Sequence, residues 1–199
     1  MLTGIDISHH NENLILKNPE LLNQSDFVIM KATEGISYED KYKEKYISLI
    51  DRSTVHGIGF YHYARPERGN SPEMEASYFL CHVVPYLNLA VLALDVEGDA
   101  LLYPDIDDWT YRFLEYVRFN TGVRPLVYCS ESQCYRFTKA AKNDYGLWVA
   151  KWGEKKPVKA KIKPWKFWAI WQNEVRGVDR DIFNGDISAW FAYASGGSR

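Results

Sequence analysis

The sequence predicts a single α/β domain built as an irregular TIM-like (β/α)5β3 barrel. Three observations predict it. Apolar runs of strand length alternate with segments of helical periodicity through the first two thirds of the chain, the rhythm of parallel strands joined by crossover helices. After residue 141 the helical segments stop and further strands follow, which brings the strands to the number that closes a small barrel. No glycine-rich phosphate loop follows the first strand, which argues against an open doubly wound sheet, the competing fold.

Residues 3–8 form a short strand with a polar end, and His9, His10 and Asn11 follow as a loop. Residues 12–25 are mixed and polar, a short helix with turns. Residues 26–32 form a second apolar strand, followed by the loop Thr33-Glu34-Gly35. Over 39–53 a helix is expected, because Tyr42, Tyr46, Leu49 and Ile50 share one stripe. Residues 58–64 are the third strand. Ser71 and Pro72 are a favourable helix start, and the helix is expected to run to Val84 with Met74, Tyr78, Cys81 and Val84 inward. Pro85 ends it. Residues 89–94 carry no charge and read as a strand buried on both faces that ends in Asp95 and Glu97. Pro104 and Asp105 open a helix with Ile106, Trp109, Phe113, Tyr116 and Val117 on one face, and Gly122 stops it. Residues 125–129 are the fifth strand and 133–141 a short helix. Strands are then expected over 147–152, 167–172 and 178–183, with a lysine-rich loop over 153–166. The domain is placed at 1–193, and 194–199 is expected to be a disordered tail.

Hydrophobic residues make up 46% of the 199 and charged residues 25%, a globular balance. The net charge of -2 gives no reason to expect nucleic acid or an anionic membrane as partner, and no apolar stretch reaches membrane-span length. The first residues show no basic-then-apolar signal segment, so either synthesis in the cytoplasm or a removed leader is expected. Cys81, Cys129 and Cys134 give no disulfide framework; Cys81 is read as a small core residue. The 7 Trp, 14 Tyr and 9 Phe suit both a core and stacking on ring-shaped ligands.

Asp95 and Glu97 share one strand face with Cα atoms about 6.5 Å apart. Two carboxylates at the end of a buried strand are expensive unless something satisfies or uses them, and helix capping or a local ion pair is the structural alternative. In a parallel barrel the chemistry sits at the C-terminal strand ends. Those ends carry Asp6, Lys31, Glu34, Tyr61, His62, Tyr63, Asp95, Glu97 and Tyr128, then Trp152, Gln172 and Asp179. Acids with interleaved aromatics suit glycoside hydrolysis, one carboxyl giving its proton to the leaving oxygen and another staying ionised. A metal site drawn from Asp6, His9, His10, His62, Asp95 and Glu97 is the rival. It is disfavoured because His9 and His10 are adjacent rather than at i, i+4, so no metal and no cofactor are expected. His62, between two tyrosines, is read as a hydrogen-bonded wall residue.

At these residues the sequence resembles the lysozymes of glycoside hydrolase family 25, the Chalaropsis-type muramidases. The resemblance rests on Gly4-Ile5-Asp6-Ile7-Ser8, Ile29-Met30-Lys31-Ala32-Thr33-Glu34-Gly35, Gly59-Phe60-Tyr61-His62-Tyr63-Ala64 and Leu94-Asp95-Val96-Glu97. It continues through Leu147-Trp148-Val149-Ala150, Trp168-Ala169-Ile170-Trp171-Gln172 and Val178-Asp179 followed by Phe183, all in family order. It implies the same irregular barrel, and cleavage of the β-1,4 bond between N-acetylmuramic acid and N-acetylglucosamine in peptidoglycan. Carried over by motif, Glu97 is the general acid, Asp95 its ionised partner, and Asp6 and Asp179 complete an acidic floor. Asp179 is preferred to Asp181 because it follows the Val178 motif position. Tyr61, Tyr63, Tyr128, Trp152, Lys31 and Gln172 are candidate substrate contacts. Retaining, inverting and substrate-assisted routes all remain, the last being favoured. The implied partner is the glycan strand of the bacterial cell wall, acted on by a monomer, either a secreted enzyme or an endolysin. Family members often carry a wall-binding module, and none is recognised in this chain. The second functional reading is a catalytically silent glycan-binding barrel.

Overall fold

The fifth strand, β5 (Ala90–Asp95), is buried along its whole length. Ala90, Leu92 and Leu94 face a layer of helices, while Val91 and Ala93 face the interior of a barrel. The alternation carries Asp95 inward as well, which fixes where the two acids point.

The computed structural model describes residues 1–196; Gly197, Ser198 and Arg199 lie outside the described residues. The elements in order are β1 (Leu2–Ile7), α1 (Glu12–Lys17), β2 (Phe27–Glu34), β3 (Tyr38–Glu39), α2 (Lys43–Ile50) and β4 (Gly57–Tyr63). Then follow α3 (Pro72–Val83), β5, α4 (Ile106–Thr121), β6 (Leu126–Ser130), α5 (Thr138–Lys142) and β7 (Leu147–Ala150). The chain ends with β8 (Ile170–Arg176), β9 (Val178–Phe183) and α6 (Ile187–Ser195). The sheet order is β1-β9-β8-β7-β6-β5-β4-β2-β3, and β1 also pairs with β2. That last pairing closes an eight-strand barrel, with β3 as a short hairpin partner outside the ring. Pairs from β1 round to β8 are parallel; β9 is antiparallel to both neighbours. The (β/α)5β3 expectation therefore holds.

Several boundaries differ from expectation. The inward face of α3 is Ala76, Phe79, Leu80 and Val83, with Glu75 buried among them. Met74 is 53% exposed and Cys81 is exposed, so neither is a core residue. A charged residue inside the true stripe disguised it. Glu75 is fully buried because its carboxylate meets His62 Nε2 at 2.8 Å and accepts from Asn70 Nδ2 and the Arg65 backbone N–H. His62 also contacts Thr33 Oγ1 through Nδ1 at 2.8 Å and stacks on Phe113, outside the barrel. It buttresses β4 against the helices, the wall role expected of it. Cys129 and Cys134 are free, with sulfurs 3.8 Å apart.

The strand expected at 147–152 ends at Ala150, and the one expected at 167–172 begins at Ile170 and continues to Arg176. Because β7 and β8 are parallel, the connecting chain must return along the barrel side. It does so as a strap held by buried Pro157, Ile162 and Trp165, with Trp165 Nε1 donating to the Tyr145 carbonyl.

The 194–199 tail is corrected at its start. Residues 187–195 form α6, which opens with an Asp186 cap on the Ala189 N–H and closes at Gly196 in the left-handed conformation. Ala194 is buried, and Trp190 is fully buried against Phe27 and Phe183 inside the barrel end opposite the acids. Gly57 makes room for it: a Cβ there would lie 2.8 Å from the indole nitrogen.

Candidate active site

Five strand ends and the turns after them supply a cleft of about 360 Å³. Its lining includes Asp6 from β1, Lys31 and Glu34 from β2, Tyr61 and Tyr63 from β4, and Asp95 and Glu97 at the end of β5. Asp179 comes from β9, and Ser8, His10, Asn11 and Arg65 complete the walls. The sequence brought the acids, Lys31 and the two tyrosines to one rim, and the structure has them there.

Asp6 is held from β8, two strands along the ring. Gln172 Nε2 donates to Asp6 Oδ2 at 2.8 Å, and Gln172 Oε1 accepts from the Tyr128 hydroxyl at 2.9 Å and from Trp152 Nε1 at 3.3 Å. These contacts fix the orientation of the amide. Tyr128 and Gln172 are nearly buried, so they belong to the floor beneath the cleft, whereas Trp152 stands 69% exposed at the rim. Asp179 sits opposite Asp6 in the β1–β9 register, and Asp181 opposite Gly4. The strand is regular there, so both aspartates face inward. Asp179 lines the cleft; Asp181 lies under the floor, where its Oδ1 accepts from Trp148 Nε1 at 2.8 Å.

One buried cation answers the acids. Lys31, 6% exposed, donates to Glu34 Oε2 at 2.7 Å and lies 4.6 Å from the centre of the Tyr63 ring. Glu34 also accepts from Arg65 Nε at 2.7 Å. Burial pushes the Glu34 carboxyl up, but the hydrogen bonds from Lys31 and Arg65 outweigh it and hold Glu34 below its ordinary range. Arg65 was not singled out from sequence; its signal was an arginine directly after the third strand, facing the Glu34 loop.

Burial dominates the remaining acids. It raises Glu97, with Lys31 opposing and Asp179 adding. It raises Asp95 well above the ordinary carboxylate range, with Glu97 adding and Lys31 opposing. Burial and then Asp179 push Asp6 up to about 7. Asp179 is raised by burial alone. Asp95 is the deeper of the pair, with its Oδ1 buried and unpartnered among the described residues. Neighbouring acids that cannot all ionise near neutral pH are the raw material of acid–base catalysis. Among the described residues no group of three or more His, Cys, Asp or Glu side chains is arranged to hold a metal ion. Nor, among them, is any helix long and apolar enough to cross a membrane.

Comparison with known proteins agrees with this geometry. The family described as Glycosyl hydrolases family 25 matches residues 5–182. The uncharacterised protein YegX of Escherichia coli (strain K12) is 26% identical, over 97% of this chain and 73% of its own. The lysozyme from Streptomyces coelicolor superposes with a TM-score of 0.82 at 24% identity, covering 99% of this chain and 98% of that one. The family GH25 lysozyme from Aspergillus fumigatus does so with a TM-score of 0.76 at 26% identity, covering 98% and 99%. An acid-lined cleft at the C-terminal rim of an irregular barrel and a family match from the first strand to the last lead to one conclusion: the chain belongs to glycosyl hydrolases family 25 and is a glycoside hydrolase.

Proposed function

We propose that this glycoside hydrolase is an N-acetylmuramidase that cleaves the β-1,4 bond between N-acetylmuramic acid and N-acetylglucosamine in bacterial peptidoglycan. The observation that carries the reading is the convergence of Asp6, Asp95, Glu97 and Asp179 on one open cleft, each with its carboxyl raised by burial. The lysozyme descriptions of the two structural relatives support the substrate class. A silent glycan-binding barrel has no use for four mutually repelling acids.

Glu97, the carboxyl nearer solvent, delivers its proton to the glycosidic oxygen as the bond to the anomeric carbon breaks. Positive charge developing on the sugar favours ionised Asp95 and leaves the proton of the pair on Glu97. The unpartnered Oδ1 of Asp95 is an acceptor for the N–H of the muramyl acetamido group, whose carbonyl oxygen then attacks the anomeric carbon. Water opens the resulting ring and returns the proton to Glu97. Tyr61, Tyr63 and the exposed Trp152 ring offer apolar faces to the sugars, and Lys31 sets the charge balance. The cleft is built by one chain, so a monomer suffices, working at the bacterial wall.

Digestion of purified walls tests the reading. New reducing ends on muramic acid without new free amines are expected. New amines would mean an amidase or peptidase, and reducing ends on glucosamine would mean the wrong bond. A second expectation concerns Lys31→Met. Losing the ammonium raises Asp95 and Glu97 further, so the pH–rate profile moves to higher pH by about one unit. An unmoved profile would show that Lys31 does not tune the pair.

A further inference from the structure

Asp181 is a buried acid to which the mechanism above gives no role. Asp181 is 1% exposed, beneath the cleft floor. It lies opposite Gly4 on β1 and opposite Gln172 on β8. Gly4 has no side chain, and the Phe27 ring takes its place: a Cβ there would lie 2.5 Å from it. Asp181 Oδ1 accepts from Trp148 Nε1 at 2.8 Å, while its Oδ2 is buried and has no donor. Asp6 and Asp181 face inward from neighbouring strands as diagonal partners, Asp6 opposite Asp179 and Asp181 opposite Gly4, with Cα atoms about 7–8 Å apart, a spacing across which two carboxyls can meet. Two ionised carboxylates in contact inside a barrel are strongly disfavoured, and an oxygen with no donor is costly in its own right.

A single proton removes both difficulties. On Asp181 Oδ2 it turns the orphaned acceptor into a donor, and its natural acceptor is Asp6. Asp6 is the better site for the negative charge, because it already receives Gln172 Nε2 at 2.8 Å and borders the open cleft. We propose that Asp181 is a positioning residue that holds this proton on Oδ2 and donates it to the Asp6 carboxylate, keeping Asp6 ionised and aimed at the substrate. Burial and then Asp179 raise the Asp6 carboxyl to about 7 and Gln172 and Asp181 oppose that rise, whereas burial and then Asp6 raise Asp181 well above the ordinary carboxylate range. The titratable groups facing Asp181 are Asp6 from β1, Asp179 from its own strand and the Tyr128 hydroxyl from β6; β7 and β8 contribute neutral Trp148 and Gln172. The effect on turnover rests on the muramidase reading; the protonation state does not.

The test compares Asp181→Asn with Asp181→Leu. Asparagine reproduces both contacts, its amide nitrogen donating to Asp6 and its oxygen accepting from Trp148. Leucine supplies neither. Carboxyl ¹³C titration of the free protein is expected to find Asp181 protonated at pH 7 in the wild type. The Asp6 midpoint is expected to rise in Asp181→Leu and not in Asp181→Asn. On peptidoglycan, Asp181→Asn retains most of kcat, while Asp181→Leu loses about tenfold to a hundredfold, the worth of one hydrogen bond to a charged group. Thermal unfolding of Asp181→Asn identifies the folded comparison should the leucine variant fail to fold. An ionised Asp181 at pH 7, or an Asp6 midpoint that rises in Asp181→Asn, overturns the proposal. Wall digestion that fails in the wild type while the titration behaves as stated would overturn the muramidase reading alone.

Discussion

Glu97→Gln is expected to lower turnover on purified peptidoglycan by about 10²- to 10⁴-fold, the usual worth of a general acid, with little change in binding. The variant is also expected to be more stable than the wild type at pH 7. Burial raises the Glu97 carboxyl in the folded state, as it raises Asp95 and Asp179 and brings Asp6 to about 7. A group whose pKa is higher folded than unfolded binds more protons in the folded state. Its ionisation therefore costs stability as pH rises from the ordinary carboxylate range, near 3.8 for Asp6, through the raised folded value. The wild type should lose stability across that window, and Glu97→Gln should lose less. Turnover and thermal unfolding measured together separate the explanations. Loss of activity with gain of stability marks a chemical role; loss of both marks misfolding; undiminished turnover removes Glu97 from the mechanism.

Trp190→Ala is expected to cost about 3–5 kcal/mol in denaturant unfolding, the range for a buried aromatic truncated in a core. Trp190 fills the end of the barrel opposite the cleft and touches Phe27 and Phe183 with ring centres 4.5 and 5.2 Å away. No neighbouring element is placed to collapse into the void, because the strands around it are fixed by their pairing. Trp190→Phe should cost less than Ala, since the indole N–H has no hydrogen-bond partner to lose. Phe191, the next residue on the same helix and 42% exposed, should tolerate Ala within about 0.5 kcal/mol. Equal losses at 190 and 191 would mean that α6 is held by its length rather than by this ring.

What the sequence made legible follows from how strongly each segment is constrained locally. The β5 run was readable because both faces are buried, and the period of two then dictated that Asp95 and Glu97 share a side. Lys31, Tyr61 and Tyr63 were placed at the rim by their positions at strand ends. The α3 face was not readable, because the fully buried Glu75 breaks the apolar stripe and is satisfied by His62, Arg65 and Asn70, which lie on the strand and in the loop before the helix. Helix α6 was hidden by its shortness and by the glycines that follow it. The depth difference between Asp179 and Asp181 depends on the register of β9 against β1 and β8, which joins residues from opposite ends of the chain. Gln172 was picked as a substrate contact; its observed bonds to Asp6, Tyr128 and Trp152 are long-range contacts that no local pattern encodes.

The ring closes between β1 and its two neighbours, β2 and β9. Asp6 is made well before Gln172, Asp179 and Asp181, which hold or surround it. Until β8 and β9 have been made, Asp6 has no Gln172 donor and the interior has no Trp190. A nascent chain therefore carries Glu97 and Asp95 for much of its synthesis without a finished cleft around them. Competence arrives only once β8 and β9 are in place, so a product terminated before them should be inactive.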